Sequence, residues 1–201
     1  MQQSLLLERK KMFLNQFKNV GYALFNRGLV SSHSGNLSIR MGDRLIITRR
    51  ECNLGTLEEK DLVETGINRN DRSTPLASAE LQVHRAIYQQ TQARAIVHAH
   101  PTHAVALSMS EKVISADYLE EFCSLGRVPV VGRCGDTKNS DLADAIAAAL
   151  KDHRVLLVYG HGSFAVGQLL DEAFNCTTGL EEACEILCLM RSMQIKISPD
   201  Q

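Results

Sequence analysis

The sequence A-I-V-H-A-H-P-T-H, residues 95–103, predicts a buried strand that carries a pair of histidines. Its first three residues are apolar, and His98 and His100 follow two positions apart. Because side chains alternate between the two faces of a strand, both imidazoles are expected on the same side of the sheet. Neutral imidazole nitrogens are favoured ligands of zinc and similar divalent metals. The stretch therefore predicts two ligands of a metal site.

Composition limits the kinds of partner that the protein is expected to have. The 201-residue chain has a formal net charge of −1 and no long basic block, which argues against nucleic acid as the main partner. No apolar stretch reaches the roughly 18–20 residues that span a bilayer, and the first residues do not resemble a signal peptide. Six cysteines without a C-x-x-C spacing are typical of a reduced protein. We expect a single cytoplasmic domain over residues 1–201, without a membrane partner.

Helical and strand patterns alternate along the chain. Apolar residues at three- and four-residue spacing predict an amphipathic helix from about residue 5 to residue 27. Ser78 is expected to cap a helix that runs to Tyr88, and Asp171 a final helix that runs to about Met193. Further strands are predicted at 37–40, 44–48, 95–100, 155–159 and 163–167, and another at the end of 124–131. Residues 58–65 are predicted to form a short helix or turn that leads to an edge strand, and further helices are predicted at 102–108 and 139–150. Helices on both sides of a set of strands indicate an α/β or α+β fold with one central sheet.

Two more residues are candidates for the metal site. His161 lies between two glycines just past an apolar strand, and Glu80 lies in the predicted first turn of a helix. Three histidines and one carboxylate can make a zinc site, in which a labile carboxylate leaves a position open for chemistry. The alternatives are a hydrogen-bonded core residue for each histidine and a solvated helix terminus for Glu80. The remaining histidines show no pairing and are interpreted as structural: His33, His84, His103 and His153.

Six motifs, in order along the chain, resemble the class II aldolase/adducin family. They are S-G-N-L-S-I-R (34–40), L-I-I-T (45–48), S-A-E-L-Q-V-H-R-A-I-Y (78–88), A-I-V-H-A-H (95–100), G-H-G-S-F-A-V-G (160–167) and D-E-A (171–173). The family includes fuculose-phosphate and rhamnulose-phosphate aldolases, a ribulose-phosphate 4-epimerase, a methylthioribulose-phosphate dehydratase and some decarboxylases. The resemblance implies a three-layer α/β/α fold around a mixed, mostly antiparallel sheet. It also implies a homotetramer with active sites at subunit interfaces.

The resemblance also implies a metal centre and a reaction. Glu80, His98, His100 and His161 match the acidic residue and the three metal histidines of the family. Zn²⁺, or another divalent metal, would act as a Lewis acid when the C3–C4 bond of a ketose or ketose phosphate breaks. Glu80 would leave the metal when substrate binds and then act as general base.

A proton donor is needed on the aldehyde side of the cleaved bond. Tyr118 matches the proton-donor tyrosine of the family if one residue is deleted nearby. Glu120 and Glu121 are the neighbouring alternatives, and a solvated loop is the structural one.

The substrate-binding residues depart from the family pattern. The predicted contacts are Asn36, Thr48, Arg50 and Ser78. Where the sugar-phosphate aldolases have T-P-T-G, this chain has T-R-R-E, so Arg50 and Glu51 replace a Thr-Gly pair, and Ala79 replaces a second serine. Because arginine binds phosphate or carboxylate through two hydrogen bonds, Arg50 or its neighbour Arg49 is expected to bind a substrate anion. The alternative is an Arg50–Glu51 ion pair at a subunit contact.

Three classes of function remain open from the sequence. The first is a zinc-dependent aldolase that reversibly cleaves a sugar or sugar phosphate to a dihydroxyacetone-type fragment and an aldehyde. The second is an epimerase, decarboxylase or dehydratase that uses the same metal site. The third is a non-catalytic adducin-like module, which the presence of all four metal positions disfavours.

Overall fold

The computed structural model describes residues 2–115, 125–132 and 139–195. The helices are α1 (Gln2–Asn26), α2 (Leu81–Gln90), α3 (Thr102–Ser108), α4 (Asn139–Ala149) and α5 (Leu170–Ser192). The strands are β1 (Asn36–Met41), β2 (Arg44–Thr48), β3 (Leu62–Gly66), β4 (Ala95–Ala99), β5 (Val113–Ser115), β6 (Arg127–Val131), β7 (Val155–Val158) and β8 (Gly162–Gly167). None of the helices in these ranges is long and apolar enough to cross a membrane.

The strands form one sheet in the order β3-β2-β1-β4-β8-β7-β6-β5. Every neighbouring pair is antiparallel except β6 and β7, which run parallel. The prediction of an α/β fold with a mixed, mostly antiparallel sheet is therefore confirmed. In the centre of the sheet, His98 of β4 pairs with Asn36 of β1 on one side and with Phe164 of β8 on the other.

Helices cover both faces of the sheet, which gives the three predicted layers. One core contains α1, α3 and α5 packed on residues such as Leu37 and Val97. The other core contains α2 and α4 packed on residues such as Ile96 and Phe164. Since neighbours along a strand face opposite sides, His98 shares the α2 side of the sheet with Ile96. That the whole chain, residues 1–201, forms one domain stays a prediction.

Helix starts are the main difference between the predicted and observed elements. A hydrogen bond from the Leu81 amide to the Ser78 carbonyl (3.1 Å) closes a turn ahead of α2. Glu80, and not Ser78, therefore takes the N-cap position, and Ser78 Oγ accepts from the Glu80 amide at 3.3 Å. Likewise α5 begins at Leu170, so Asp171 lies inside its first turn and does not cap it.

Candidate metal centre

The predicted ligands meet where strands β4 and β7 end and where β8 and α2 begin. His98 lies in β4 and His100 lies one residue past its end. His161 lies in the turn between β7 and β8, and Glu80 precedes α2. The antiparallel pairing of β4 with β8 sets Ala99 opposite Ser163, which brings the turn before β8 beside the end of β4.

The three imidazoles and the carboxylate are within reach of one ion. One nitrogen from each of His98, His100 and His161 lies within 4.8 Å of the other two. The Nε2 atoms of His98 and His100 are 3.0 Å apart. The Glu80 carboxylate completes the group, with Oε2 3.0 Å from His98 Nε2 and Oε1 3.5 Å from His161 Nε2.

The hydrogen bonds of His98 favour a cation at this position. Its Nδ1 lies 2.9 Å from the carbonyl oxygen of Ser163, which can only accept, so Nδ1 carries the hydrogen and Nε2 carries the lone pair. That lone pair faces the carboxylate of Glu80, which also only accepts in its ionised form. Convergent acceptors of this kind suit a divalent metal, and a hydrogen bond from the second ring nitrogen to a carbonyl is the usual support for a metal-binding histidine.

Gly162 makes room for the histidines. A Cβ atom at this residue would lie 2.4 Å from the carbonyl oxygen of Ala99 and 2.8 Å from Cδ2 of His100. Both distances are shorter than real contacts allow, so a larger residue would push β8 away from β4. The second glycine of the G-H-G motif is therefore required, because the backbone at Gly162 lies too close to β4 and His100 for a side chain.

Burial keeps the two strand histidines neutral and makes the carboxylate harder to ionise. Burial, helped by the neighbouring imidazoles, lowers the pKa of His98 well below its usual value. Burial and the charge of His161 lower the pKa of His100 to about 4. For Glu80, burial raises the pKa, against the opposing effects of a hydrogen bond from Asn36 and the charge of His161. The two imidazoles are thus in the ligand form at neutral pH.

A pocket of about 320 Å³ opens onto the ligands. Asn36, Arg50 and Ser78 line it together with the histidines and Glu80, as does Arg49. Within the part of the chain that the structure describes, neither arginine side chain has an ion pair, and Arg50 does not pair with the adjacent Glu51. The pocket therefore combines candidate metal ligands with two guanidinium groups available to an anion.

One predicted site residue, Thr48, stands apart from this pocket. Thr48 is fully buried, and its hydroxyl accepts from the Leu37 amide at 3.1 Å, where it links β1 to β2. It is not among the residues that line the pocket. Tyr118, with its alternatives Glu120 and Glu121, lies outside the described residues.

Sequence reasoning missed two residues near the site. His33 lines the pocket, which nothing in its sequence context indicates. His84 is fully buried and hydrogen-bonded to Asn36, a neighbour of Glu80. The signal for His84 was available, because it follows Glu80 by four residues in a helix and therefore lies on the same helical face.

A larger open groove, of about 620 Å³, lies at the other end of α2 around Gln90, Lys151 and Arg154. Among the described residues, the only group of three or more metal-ligating side chains is the one formed by His98, His100 and His161. The metal-ligating side chains therefore identify the pocket of about 320 Å³, and not the larger groove, as the candidate site.

Comparisons with known proteins agree with the geometry. Residues 15–188 match the family described as Class II Aldolase and Adducin N-terminal domain. The chain is 27% identical over 190 residues to 3-oxo-tetronate 4-phosphate decarboxylase of Escherichia coli, covering 90% of this chain and 88% of that protein. It is 28% identical over 187 residues to an L-fuculose phosphate aldolase of Methanococcus maripaludis, covering 91% of this chain and 100% of that protein.

Solved structures give the same result. The crystal structure of L-fuculose-1-phosphate aldolase from Thermus thermophilus superimposes with a TM-score of 0.83 and 36% sequence identity. The match covers 92% of this chain and 97% of that chain. The resemblance seen in the sequence motifs is thereby confirmed, and the chain belongs to the class II aldolase and adducin family.

Proposed function

We propose that the protein is a metal-dependent aldehyde-lyase that reversibly cleaves a ketose or ketose phosphate to a dihydroxyacetone-type fragment and an aldehyde. The observation that carries this proposal is the convergence of three imidazoles and Glu80 at the base of a pocket that also holds two guanidinium groups. The named relatives act on phosphorylated sugar derivatives, which supports a sugar phosphate as the substrate class.

The metal ligands of this proposal are His98, His100, His161 and Glu80. Zinc suits a site of three imidazoles and one carboxylate, and another divalent metal is the alternative. When bound, the metal supplies Lewis-acid stabilisation of negative charge on the substrate oxygens.

Two side chains move protons in the proposed mechanism. In the aldol direction, Glu80 takes a proton from the hydroxymethyl carbon of the dihydroxyacetone-type fragment, which leaves an enediolate. Tyr118 is proposed to give a proton to the aldehyde oxygen as the new carbon–carbon bond forms. Burial raises the pKa of Glu80, which makes it a stronger base than an exposed carboxylate.

The anionic end of the substrate is proposed to lie against Arg50, with Arg49, Asn36 and Ser78 around it. Both arginines are exposed at the pocket mouth, and the side chains of Asn36 and Ser78 are nearly buried within it. A guanidinium can donate two parallel hydrogen bonds to one phosphate or carboxylate group. Thr48, the fourth residue predicted to bind substrate, does not line the pocket. In this proposal it supports the site indirectly, because its side chain links β1 to the strand that leads into these arginines.

A decarboxylase is the second candidate, and two observations favour it. The relatives that match this chain include 3-oxo-tetronate 4-phosphate decarboxylases, at 27–28% identity. A substrate with a carboxylate and a phosphate would also match two guanidinium groups at one pocket. Loss of CO₂ from a 3-oxo acid leaves an enolate, so the same metal and base would serve both reactions.

Hydrogen exchange tests the chemistry that both candidates share. The zinc-loaded protein should exchange a carbon-bound hydrogen of dihydroxyacetone phosphate with heavy water, as followed by NMR. Absence of exchange by zinc-replete protein would contradict enolisation of this fragment. Aldehyde formation from fuculose 1-phosphate and CO₂ release from 3-oxo-tetronate 4-phosphate then decide between the two candidates.

The assembly in this proposal is a homotetramer with active sites at subunit interfaces. Several large apolar side chains are exposed on one chain, among them Met109 (59%), Leu189 (55%) and Met193 (68%). In this proposal these side chains are candidates for burial between subunits.

A further inference from the structure

A row of buried polar side chains connects Tyr88 to the metal centre. The Tyr88 hydroxyl lies 2.7 Å from Ser38 Oγ, which lies 2.6 Å from His84 Nδ1. On the other side of that ring, His84 Nε2 lies 2.6 Å from Asn36 Oδ1, and Asn36 Nδ2 lies 2.8 Å from Glu80 Oε2. The four residues behind Glu80 are each at most 5% exposed. We name these five residues the Tyr88–Glu80 chain.

Two elements hold the Tyr88–Glu80 chain by their regular periodicity. Asn36 and Ser38 are two residues apart in β1 and therefore share the face that packs on α2. Glu80, His84 and Tyr88 are spaced by four residues, so they share one face of α2. The chain thus fills the contact between a strand and a helix with hydrogen bonds.

The donors and acceptors permit only one direction for the hydrogens when Glu80 is ionised. The Glu80 carboxylate only accepts, so the Asn36 amide must direct its nitrogen to Glu80 and its oxygen to His84. That oxygen also only accepts, so His84 Nε2 carries a hydrogen. Burial keeps His84 neutral, with a pKa lowered to about 3, so its Nδ1 accepts from Ser38, which in turn accepts from Tyr88.

We propose that His84 is a positioning residue that, through Asn36, fixes the orientation of the Glu80 carboxylate at the metal centre. Ser38 and Tyr88 select the ring nitrogen of His84 that carries the hydrogen. The inference rests on the proposed role of Glu80 as metal ligand and base. It makes the two carboxylate oxygens unequal, because Oε2 accepts a hydrogen bond from Asn36, whereas Oε1 faces His161 Nε2 at 3.5 Å.

Measuring which ring nitrogen of His84 carries the hydrogen tests the proposed positioning role directly. The measurement needs neither substrate nor turnover. We would label the histidines with ¹⁵N and record long-range ¹H–¹⁵N spectra of the metal-free and zinc-loaded protein at pH 8. The His84 signals are assigned by their loss in His84→Gln. We expect the hydrogen on Nε2. A hydrogen on Nδ1 would overturn the proposal, because Asn36 would then donate to His84 and turn its oxygen toward Glu80.

A pair of substitutions separates positioning from packing. The side-chain amide of His84→Gln places a donor near the position of Nε2, whereas His84→Asn reaches only the position of Nδ1 and leaves Asn36 Oδ1 without a donor. Loss of a residue that supports a metal ligand weakens metal binding by about 10–100-fold. We expect that loss of zinc affinity for His84→Asn and less than about a threefold loss for His84→Gln, measured by competition with a chromophoric chelator.

Thr177→Val is the matched control for loss of a buried hydrogen-bonding group. The Thr177 hydroxyl is fully buried and bonds within α5, to the carbonyl oxygen of Ala173. The Thr177→Val substitution should lower the melting temperature without changing the zinc affinity. Equal zinc affinities for His84→Asn and His84→Gln would overturn the proposal. If His84→Asn does not fold, the position of the hydrogen on His84 in the unsubstituted protein still tests the positioning role. A protein that lacks lyase activity but carries the hydrogen on Nε2 would contradict the lyase proposal and leave the positioning role intact.

Discussion

At the scale of single residues, the hydrogen bond from His98 Nδ1 to the Ser163 carbonyl determines which ring nitrogen is available to a metal. The two-residue spacing of His98 and His100 predicts a shared face and hence a ligand pair. It cannot predict the ring nitrogen that binds, because the carbonyl that selects it lies 65 residues away along the chain. Candidate ligands follow from local periodicity, whereas their hydrogen-bond support depends on tertiary contacts.

Replacing His98 with Ala should remove both bound zinc and turnover while the fold is largely kept. Loss of the Lewis acid removes several kcal/mol of transition-state stabilisation, so we expect turnover to fall by about 10³-fold or more. Metal content and activity of purified His98→Ala test this, with circular dichroism to check the fold. His153→Ala, which changes a histidine outside the pocket, should keep both zinc and activity. Turnover that survives without zinc would contradict the mechanism.

Replacing Arg50 with Ala should raise KM for a phosphorylated substrate and leave kcat nearly unchanged. A charged hydrogen bond to an anion contributes about 1.5–3 kcal/mol when it is well formed, and solvent at the pocket mouth reduces this. We expect a rise in KM of about five- to twentyfold, as for loss of uniform binding. Arg72→Ala, at an exposed position outside the pocket, is the control. An unchanged KM would assign Arg50 a structural role.

Stability should fall as the pH is lowered through the range in which unfolded histidines take up protons. Burial lowers the pKa of His84 to about 3, against about 6.5 for a free histidine. Between these values the unfolded chain binds a proton that the folded chain excludes. The free energy of unfolding therefore falls with decreasing pH, by up to roughly 1.4 kcal/mol per pH unit for one group.

Urea unfolding between pH 7 and pH 4 measures this effect. We expect His84→Gln to have a shallower dependence on pH than the unsubstituted protein, with the remaining slope due in part to His98 and His100. Thr177→Val should lower stability by a similar amount at every pH, because threonine does not titrate. An identical slope in His84→Gln would show that His84 is not the group responsible.

At the scale of elements, the pairing of β4 with β8 depends on a residue without a side chain. Gly162→Ala would place a methyl group 2.4 Å from the backbone oxygen of Ala99. We expect a loss of about 1–3 kcal/mol in stability, as for other overpacked sites, and zinc binding weakened by about tenfold or more. Thermal melting and chelator competition measure the two effects.

Gly28→Ala separates site distortion from general destabilisation. A Cβ atom there meets nothing within 4 Å, but the residue has a φ of +69°, which an alanine adopts only with strain. The substitution should lower stability by about 1–2 kcal/mol and leave zinc affinity unchanged. Normal zinc affinity in Gly162→Ala would mean that β4 and β8 can separate without moving the ligands.

The predicted elements were correct where one periodic pattern runs through the whole segment. They were wrong where a turn or a pairing with another strand decides the structure. The periodicity of α1 and the apolar runs of β4 and β7 indicate their structures without tertiary information. Helix α2 begins later than predicted because a turn closed by Ser78 precedes it. The three-residue strand β5 was not predicted, since it is too short to show alternation and exists through its pairing with β6.

At the scale of the whole molecule, the oligomeric state is the property that the sequence and structure of a single chain predict least well. Large apolar side chains such as Leu189 and Met193 are exposed on one chain and are candidates for burial between copies. Their position does not fix the number or arrangement of subunits, because that depends on symmetry between copies.

The proposed homotetramer should have about four times the 22.3 kDa mass of one chain. Light scattering after size-exclusion chromatography measures this directly. Because an active site at an interface needs two subunits, specific activity should fall when the protein is diluted below the concentration at which the assembly dissociates. A 22.3 kDa species with full specific activity would contradict both the tetramer and the shared site.

The turn that carries Arg49, Arg50 and Glu51 is held by its backbone. Its amides donate to the carbonyl oxygens of Asp61 (2.7 Å) and Leu76 (3.1 Å), and the side chains extend toward the pocket without packing into a core. Glu51 takes a φ of 59°, in the left-handed region that favours glycine. Because backbone hydrogen bonds hold the turn, these side chains can be exchanged one at a time without moving the strands that carry the histidines.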